Sequence, residues 1–263
     1  FKEEFTPSGV DKFVFLLAPI LTVIPSLIVL AVIPWGEAIN LFGRVIALSI
    51  SDINVGVVYI MAVTSISVYG ITLAGWSSNN KYALLGGLRA TAQMISYELA
   101  LGLSFVGPVV LAGSLSLNDN VRAQQGSLWY AVLQPAAFII FFIASIAEIN
   151  RAPFDMPEAE QELTAGYHTE YSGMKFALFF MAEYIKMIAI SVIGSTLFLG
   201  GFDGPFVQQL PWLGPIYLLA KTFVWLGILI WVRARWPRRR YDRLMQLGWK
   251  ILFPLALLNV IFT

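Results

Sequence analysis

Apolar residues fall along this chain in seven long runs, separated by shorter segments where charged residues, glycine and proline collect. The runs lie near 13–33, 53–74, 90–113, 128–148, 174–199, 216–233 and 244–262. Each is of the length a helix needs to cross a bilayer, about 20 residues. The pattern predicts an all-α, polytopic membrane helix bundle of seven spans, forming a single transmembrane domain over 1–263. Pro19, Pro25 and Pro34 fall within or just beyond the first run, Pro135 near the outer end of the fourth, and Pro254 in the last. Each is expected to kink or end its helix. In the second run Ser65, Ser67 and Gly70 suit close helix contact and some interhelical hydrogen bonding, and packing suffices to explain them. The stretch GWSSNNKYALLGGLRATAQ that follows reads as a compact loop, with no GxxxxGK[ST] or GxGxxG nucleotide motif.

Composition agrees with the pattern. The chain is 58% hydrophobic and only 13% charged, with a mean hydropathy of +0.74, far from an ordinary soluble domain. It has no cysteine, so iron–sulfur clusters, thiolate zinc sites and disulfides are excluded. A net charge of +1 gives no case for nucleic-acid binding. The opening FKEEFTPSGVDKF has no signal-peptide layout and starts with Phe1, so the natural beginning is expected upstream.

Lysine and arginine set the expected sidedness. One set of alternate loops carries Lys2, Lys12, Lys81, Arg89, Arg151, Lys175, Arg233, Arg235, Arg238, Arg239, Arg240 and Arg243, the other only Arg44, Arg122 and Lys221. The first set faces the cytoplasm or its equivalent, which puts loop 149–173 inside. RARWPRRRYDR reads as a positive-inside anchor, with a lipid headgroup or a docking subunit as further uses for its arginines.

Against this apolar background the ionisable residues stand out. Glu98 lies within the third run, Glu148 ends the fourth, and Glu183 and Lys186 lie within the fifth. Glu98 has two readings, an interfacial residue hydrogen-bonded locally or a proton acceptor facing a wet cavity. The second is preferred, because ionisable groups inside spans are costly and serve function by default. Glu183 and Lys186, at i and i+3, share a helix face and can pair, either as a structural neutralisation or as part of a relay. Asp155-Met156-Pro157-Glu158 fits a helix capping box, which accounts for Asp155 and Glu158. Glu158 and Glu160 would favour the positive end of that helix, which leaves Glu162, Glu170, Glu148 and Glu183 unexplained. So many neighbouring carboxylates repel, which moves some of their protonation equilibria toward neutral pH. His168, the only histidine, reads as a surface or hydrogen-bonding residue, and no metal site is implied.

Two blocks carry a family resemblance: WSSNNKYALLGGLRATAQMISYE (76–98) and AEINRAPFDMPEAEQELTAGYHTEYSGMKFALFFMAEY (147–184). They resemble the H-type membrane subunit of respiratory complex I, the NADH–quinone oxidoreductase, whose mitochondrial form is NADH dehydrogenase subunit 1. The resemblance runs along essentially the whole chain. It implies a subunit that docks the peripheral arm, with eight spans in the full-length protein, the first of them absent from this chain. It assigns Glu98, Glu148 and Glu183, with Lys186 beside them, to an intramembrane proton relay. It assigns Arg151, Asp155, Glu158, Glu160, Glu162 and Glu170 to the acidic inner loop at the quinone cavity. The implied substrate is quinone. NADH, FMN and iron–sulfur clusters are carried by the hydrophilic subunits of the peripheral arm, and antiporter-like and small membrane subunits are the other partners, along with membrane lipid. The compartment implied is a bacterial plasma membrane, with a mitochondrial inner membrane or thylakoid as alternatives.

Two other readings stay open on sequence. The chain fits the related ion-translocating subunit of a membrane-bound hydrogenase or formate–hydrogen complex, though the GYHTEY segment favours the quinone enzyme. It also fits a purely structural anchor. Glu98 and Glu183 weigh against that, since an anchor gains stability from apolar replacements.

Overall fold

The computed structural model describes residues 6–7, 9–41, 44–126, 128–155, 166–207, 209–237 and 240–263. Helix α1, Lys12–Val29, starts at Asp11, whose side chain accepts from the Phe13 and Val14 amides. It runs through Pro19 and Pro25 into a 3-10 turn at Leu30–Val32. The outer connector then forms a small antiparallel hairpin, β1 (Ile39–Leu41) with β2 (Arg44–Ile46). Helix α2 spans Gly56–Ser77 and α3 Lys81–Ala112.

The segment expected as a compact loop before residue 90 is therefore mostly helix. Only a tight turn separates α2 from α3, and the side chain of Asn80 caps the new helix by accepting from the Tyr82 amide. Gly75 and Gly87 face each other there. A Cβ on Gly75 would lie 2.7 Å from the Ala83 carbonyl oxygen, so the two helices touch backbone to backbone. Gly113, at φ +69°, ends α3 in the left-handed conformation, which glycine adopts without strain.

Short helix α4 (Leu117–Gln124) follows, then α5 (Tyr130–Leu133) and α6 (Pro135–Glu148). The fourth apolar run is thus split at Gln134-Pro135: the proline occupies the first position of α6, where its missing N–H costs nothing. After the inner segment come α7 (Gly173–Phe198), α8 (Leu213–Arg235) and a C-terminal rod. The rod joins α9 (Tyr241–Gln246), a π turn (Leu247–Leu252) and α10 (Phe253–Phe262). Among the described residues six helical rods are long and apolar enough to cross a membrane, and α6 is a seventh, shorter apolar helix. The architecture is an all-α polytopic membrane bundle.

Helix α2 packs against both α1 and α3, α3 also packs on α6, and α7 lies between α1 and α8. The larger core is aromatic, with Phe105, Phe141, Phe198 and Trp225 at its centre. A smaller core gathers Phe15, Met94, Tyr167, Tyr171 and Phe179 under the inner segment. Large apolar residues such as Phe13, Phe223 and Ile261 point outward, as expected of a surface wetted by hydrocarbon.

Candidate functional site

The carboxylate of Glu148 lies at the inner end of α6, where α1, α2, α3 and α7 converge. It is 3% exposed, and neither of its oxygens has a hydrogen-bond partner among the described residues. Lys186, from α7, is buried with it. It lines the same cavities as Glu148, and Glu183 and Glu98 lie on the neighbouring helix faces. Two cavities flank this pair. One is bounded by Thr22, Asn150, Tyr167 and Glu183, the other by Ser26, Thr64 and Ser67, and Glu148 and Lys186 line both. Each has a volume of about 20 Å³, enough for one water molecule.

The second cavity is hydroxyl-lined, and beside its Thr64 the Ser65 of α2 donates a hydrogen bond to Glu98 Oε1 on α3. Ser67 and Ser26 turn their hydroxyls onto backbone carbonyls of Thr64 and Thr22, each at 2.7 Å. The small residues of α2 thus do more than permit close packing: Thr64 and Ser67 line the cavity with Glu148 and Lys186, and Ser65 binds Glu98.

Glu183 forms its ion pair with a residue that i, i+3 spacing does not reveal. Its Oε1 lies 2.5 Å from Nε of Arg151, and the guanidinium sits over the rings of Tyr184 and Phe180 at 5.1 and 5.6 Å. The cause is the chain reversal after α6, where Asn150 adopts φ +57° and turns Arg151 back onto α7. Gln93 of α3 holds that reversal in place. Its Nε2 donates to the carbonyls of Ala147 and Phe154, both at 2.8 Å, and to Asn150 Oδ1 at 3.3 Å. Gln93 is a site residue that sequence reasoning passed over, whereas Ser65 makes the interhelical hydrogen bond expected of it. The signal available for Gln93 was a polar side chain within an apolar helix.

His168 is buried, 4% exposed, which rules out the surface alternative of its two expected readings. It packs among Tyr167, Phe176, Phe179 and Phe180 with ring centroids 3.8 to 5.7 Å away. Burial, and the Arg151 charge after it, hold its imidazole down at about 3, so it is neutral at physiological pH. Tyr171 stacks on Phe15 at 4.0 Å and donates to the Phe15 carbonyl at 3.2 Å, and burial pushes its hydroxyl up to about 12.

Glu170 accepts a hydrogen bond from Asn80 Nδ2 at 2.8 Å, so the two sequence blocks meet at the inner end of the bundle. A groove of about 810 Å³ opens beside this contact, between Val10, Trp76, Lys81 and Glu170. Asp155 is half-buried in the segment that follows Phe154. Glu158, Glu160 and Glu162, and with them the capping box, lie outside the described residues. No cluster of three or more His, Asp or Glu side chains placed to hold a metal occurs among the described residues.

Known proteins are similar to this chain along essentially its whole length. Residues 1–263, the whole chain, match the sequence profile of a family described as NADH dehydrogenase. The first of two H subunits of NADH-quinone oxidoreductase in Geobacter metallireducens is 53% identical over 263 residues, covering 100% of this chain and 78% of that protein. The H subunit of the Protochlamydia amoebophila enzyme is 53% identical over 262 residues, covering 100% and 79%. That of Thermomicrobium roseum is 53% identical over 268 residues, covering 98% and 77%.

Proposed function

This chain belongs to the NADH dehydrogenase family, and from that premise we propose that it is the membrane subunit that joins quinone reduction to proton translocation in an NADH–quinone oxidoreductase. Relatives over half identical along the full chain carry that complex's name. The chain has no thiolate to hold a cluster. Electrons reach the quinone from NADH through flavin and iron–sulfur groups of the docked peripheral subunits. Reduction to quinol takes up two electrons and two protons.

The groove beside Asn80 and Glu170 is the side from which the peripheral arm and the quinone headgroup approach. Its volume is within the usual 300–1,000 Å³ range of small-molecule sites. Glu170, Asp155 and the sequence carboxylates Glu158, Glu160 and Glu162 form the acidic approach. Glu183, held by Arg151, faces the inner cavity. Glu148 with Lys186 is the central relay, and Glu98, held by Ser65, receives the proton across the hydroxyl-lined cavity and hands it to the adjoining membrane subunits. Ser65 acts as a positioning residue for Glu98.

One observation carries this reading: the buried Glu148 carboxylate makes no hydrogen bond to any described residue. A carboxylate kept for structure is hydrogen-bonded where it is buried, and leaving one bare costs several kcal/mol. Beside a buried ammonium and between two water-sized cavities, it is a position where a proton arrives and leaves. Glu148→Gln breaks no such bond and keeps the shape. In the intact complex we expect it to cut quinone reduction and proton uptake into proteoliposomes about tenfold or more, while assembly and NADH oxidation by an acceptor reduced at the flavin stay intact. Normal quinone reduction with normal pumping would remove Glu148 from the relay.

A further inference from the structure

At its C-terminal end α7 is held by an ammonium. Beyond Phe198 the chain turns through Gly200 at φ +73° and Gly201 at φ +52°, the left-handed region that glycine enters without strain. The Gly201 amide donates back to the Ser195 carbonyl at 2.8 Å. Three carbonyls of the turn converge on one point, which Lys221 of α8 occupies. Its Nζ donates to the carbonyls of Leu199 and Asp203 at 2.7 Å and of Gly201 at 2.9 Å, so all three N–H bonds of the ammonium are used. The Trp129 ring lies 5.4 Å from the same nitrogen, within cation–π range.

Gln124, the buried last residue of α4, holds the final turn of α7 from another side. Its amide is shared among the carbonyls of Asn120, Thr196 and Leu197 at 3.1 to 3.3 Å. The last two are carbonyls that a helix end leaves without an intrahelical partner. Bare carbonyls are costly at membrane depth, and a positive charge suits this end of the helix dipole. The other end of α7 is tied through Glu183 to Arg151. Lys186 lies between the two ties, about 18 Å from Phe198 along an unbroken helix.

We propose that Lys221 is a positioning residue for Lys186: its caged ammonium fixes the C-terminal end of α7, and with it the height at which Lys186 meets Glu148. The functional consequence rests on the relay reading of Glu148 and Lys186, whereas the cage stands on its own geometry. The cage takes a tripod of N–H donors. A cation without N–H bonds does not fill it, and a flat guanidinium fork matches it poorly.

The test is made on the whole purified complex. Lys221→Ala is expected to lower quinone reduction about tenfold, as a small misplacement far from the chemistry can, and to shift the pH profile of the rate that remains. Propylammonium replaces the deleted atoms and brings three N–H donors, so it is expected to restore both rate and profile. Tetramethylammonium, with the charge but no N–H, is expected to restore neither. A parent-like rate and profile in Lys221→Ala, or equal rescue by the two cations, would overturn the proposal. Should Lys221→Ala fail to assemble, the parent complex still decides: reductive methylation is expected to leave Lys221 unmodified, and its dimethylation overturns the cage. Rescue by propylammonium together with a Glu148→Gln complex of normal rate would keep the cage and discard the relay. A silent Lys221→Ala beside an impaired Glu148→Gln would discard Lys221 alone.

Discussion

His168 shows how a single side chain sets a pH limit on the inner segment. Folded, it binds a proton only near pH 3, because burial and the Arg151 charge oppose it, whereas the exposed imidazole titrates near 6.5. Between those values the unfolded segment holds more protons than the folded one, so stability falls as pH drops below 6.5 and is flat above it. The slope is about 1.4 kcal/mol per pH unit. Replacing His168 by Phe keeps the aromatic packing and removes the proton. Hydrogen exchange of amides 166–171, corrected for intrinsic rates between pH 7 and 5, should accelerate in the parent and stay level in His168→Phe. The same acceleration in both would assign the effect to other groups.

At the level of helices, contact between backbones decides what the sequence tolerates. A Cβ on Gly86 would lie 2.7 Å from Gly166 Cα, a backbone atom, so Gly86→Ala pushes α3 off the turn that carries His168 and Glu170. Overpacking of this kind costs about 1–3 kcal/mol. Gly227 of α8 has no described atom within 4 Å of the same added carbon, and there alanine gains roughly 1 kcal/mol of helix propensity. The thermal midpoint of the purified complex should therefore fall with Gly86→Ala and hold or rise with Gly227→Ala; equal shifts would dismiss the contact. These contacts also explain what the sequence could and could not tell. The spans were legible because hydrocarbon demands long apolar runs, but hydropathy placed the start of α3 near residue 90, since its first turns are polar enough to pass for loop. The Asn80 cap was the overlooked signal. Glu183 and Lys186 were legible as ionisable groups on one face. The Arg151 partner was not, because it depends on a left-handed Asn150 that returns the chain to α7. The burial of His168 was hidden for a similar reason, as its aromatic neighbours come largely from the following helix.

For the molecule as a whole, the charge bias of the loops and the meeting of the two sequence blocks concern the same face. The contacts Asn80–Glu170, Ser77–Tyr171 and Gly86–Gly166 close blocks 76–98 and 147–184 against each other at the end where lysine and arginine collect. Because the chain has no cysteine, single cysteines report sidedness on this subunit directly. Arg235→Cys should react with an impermeant maleimide in inside-out vesicles, and Leu210→Cys in right-side-out vesicles; the reverse pattern would invert the topology. Gln93 adds a consequence of another kind. It bolts the chain reversal after α6 to α3, a helix of 32 residues and so a rod roughly 48 Å long, and Glu98 rides on the same rod about 7.5 Å further along. With both N–H groups of the Gln93 amide shared among three acceptors at the bolt there is little slack. A displacement of the inner segment is therefore carried along α3 to Glu98, so Gln93 ties the two ends together mechanically.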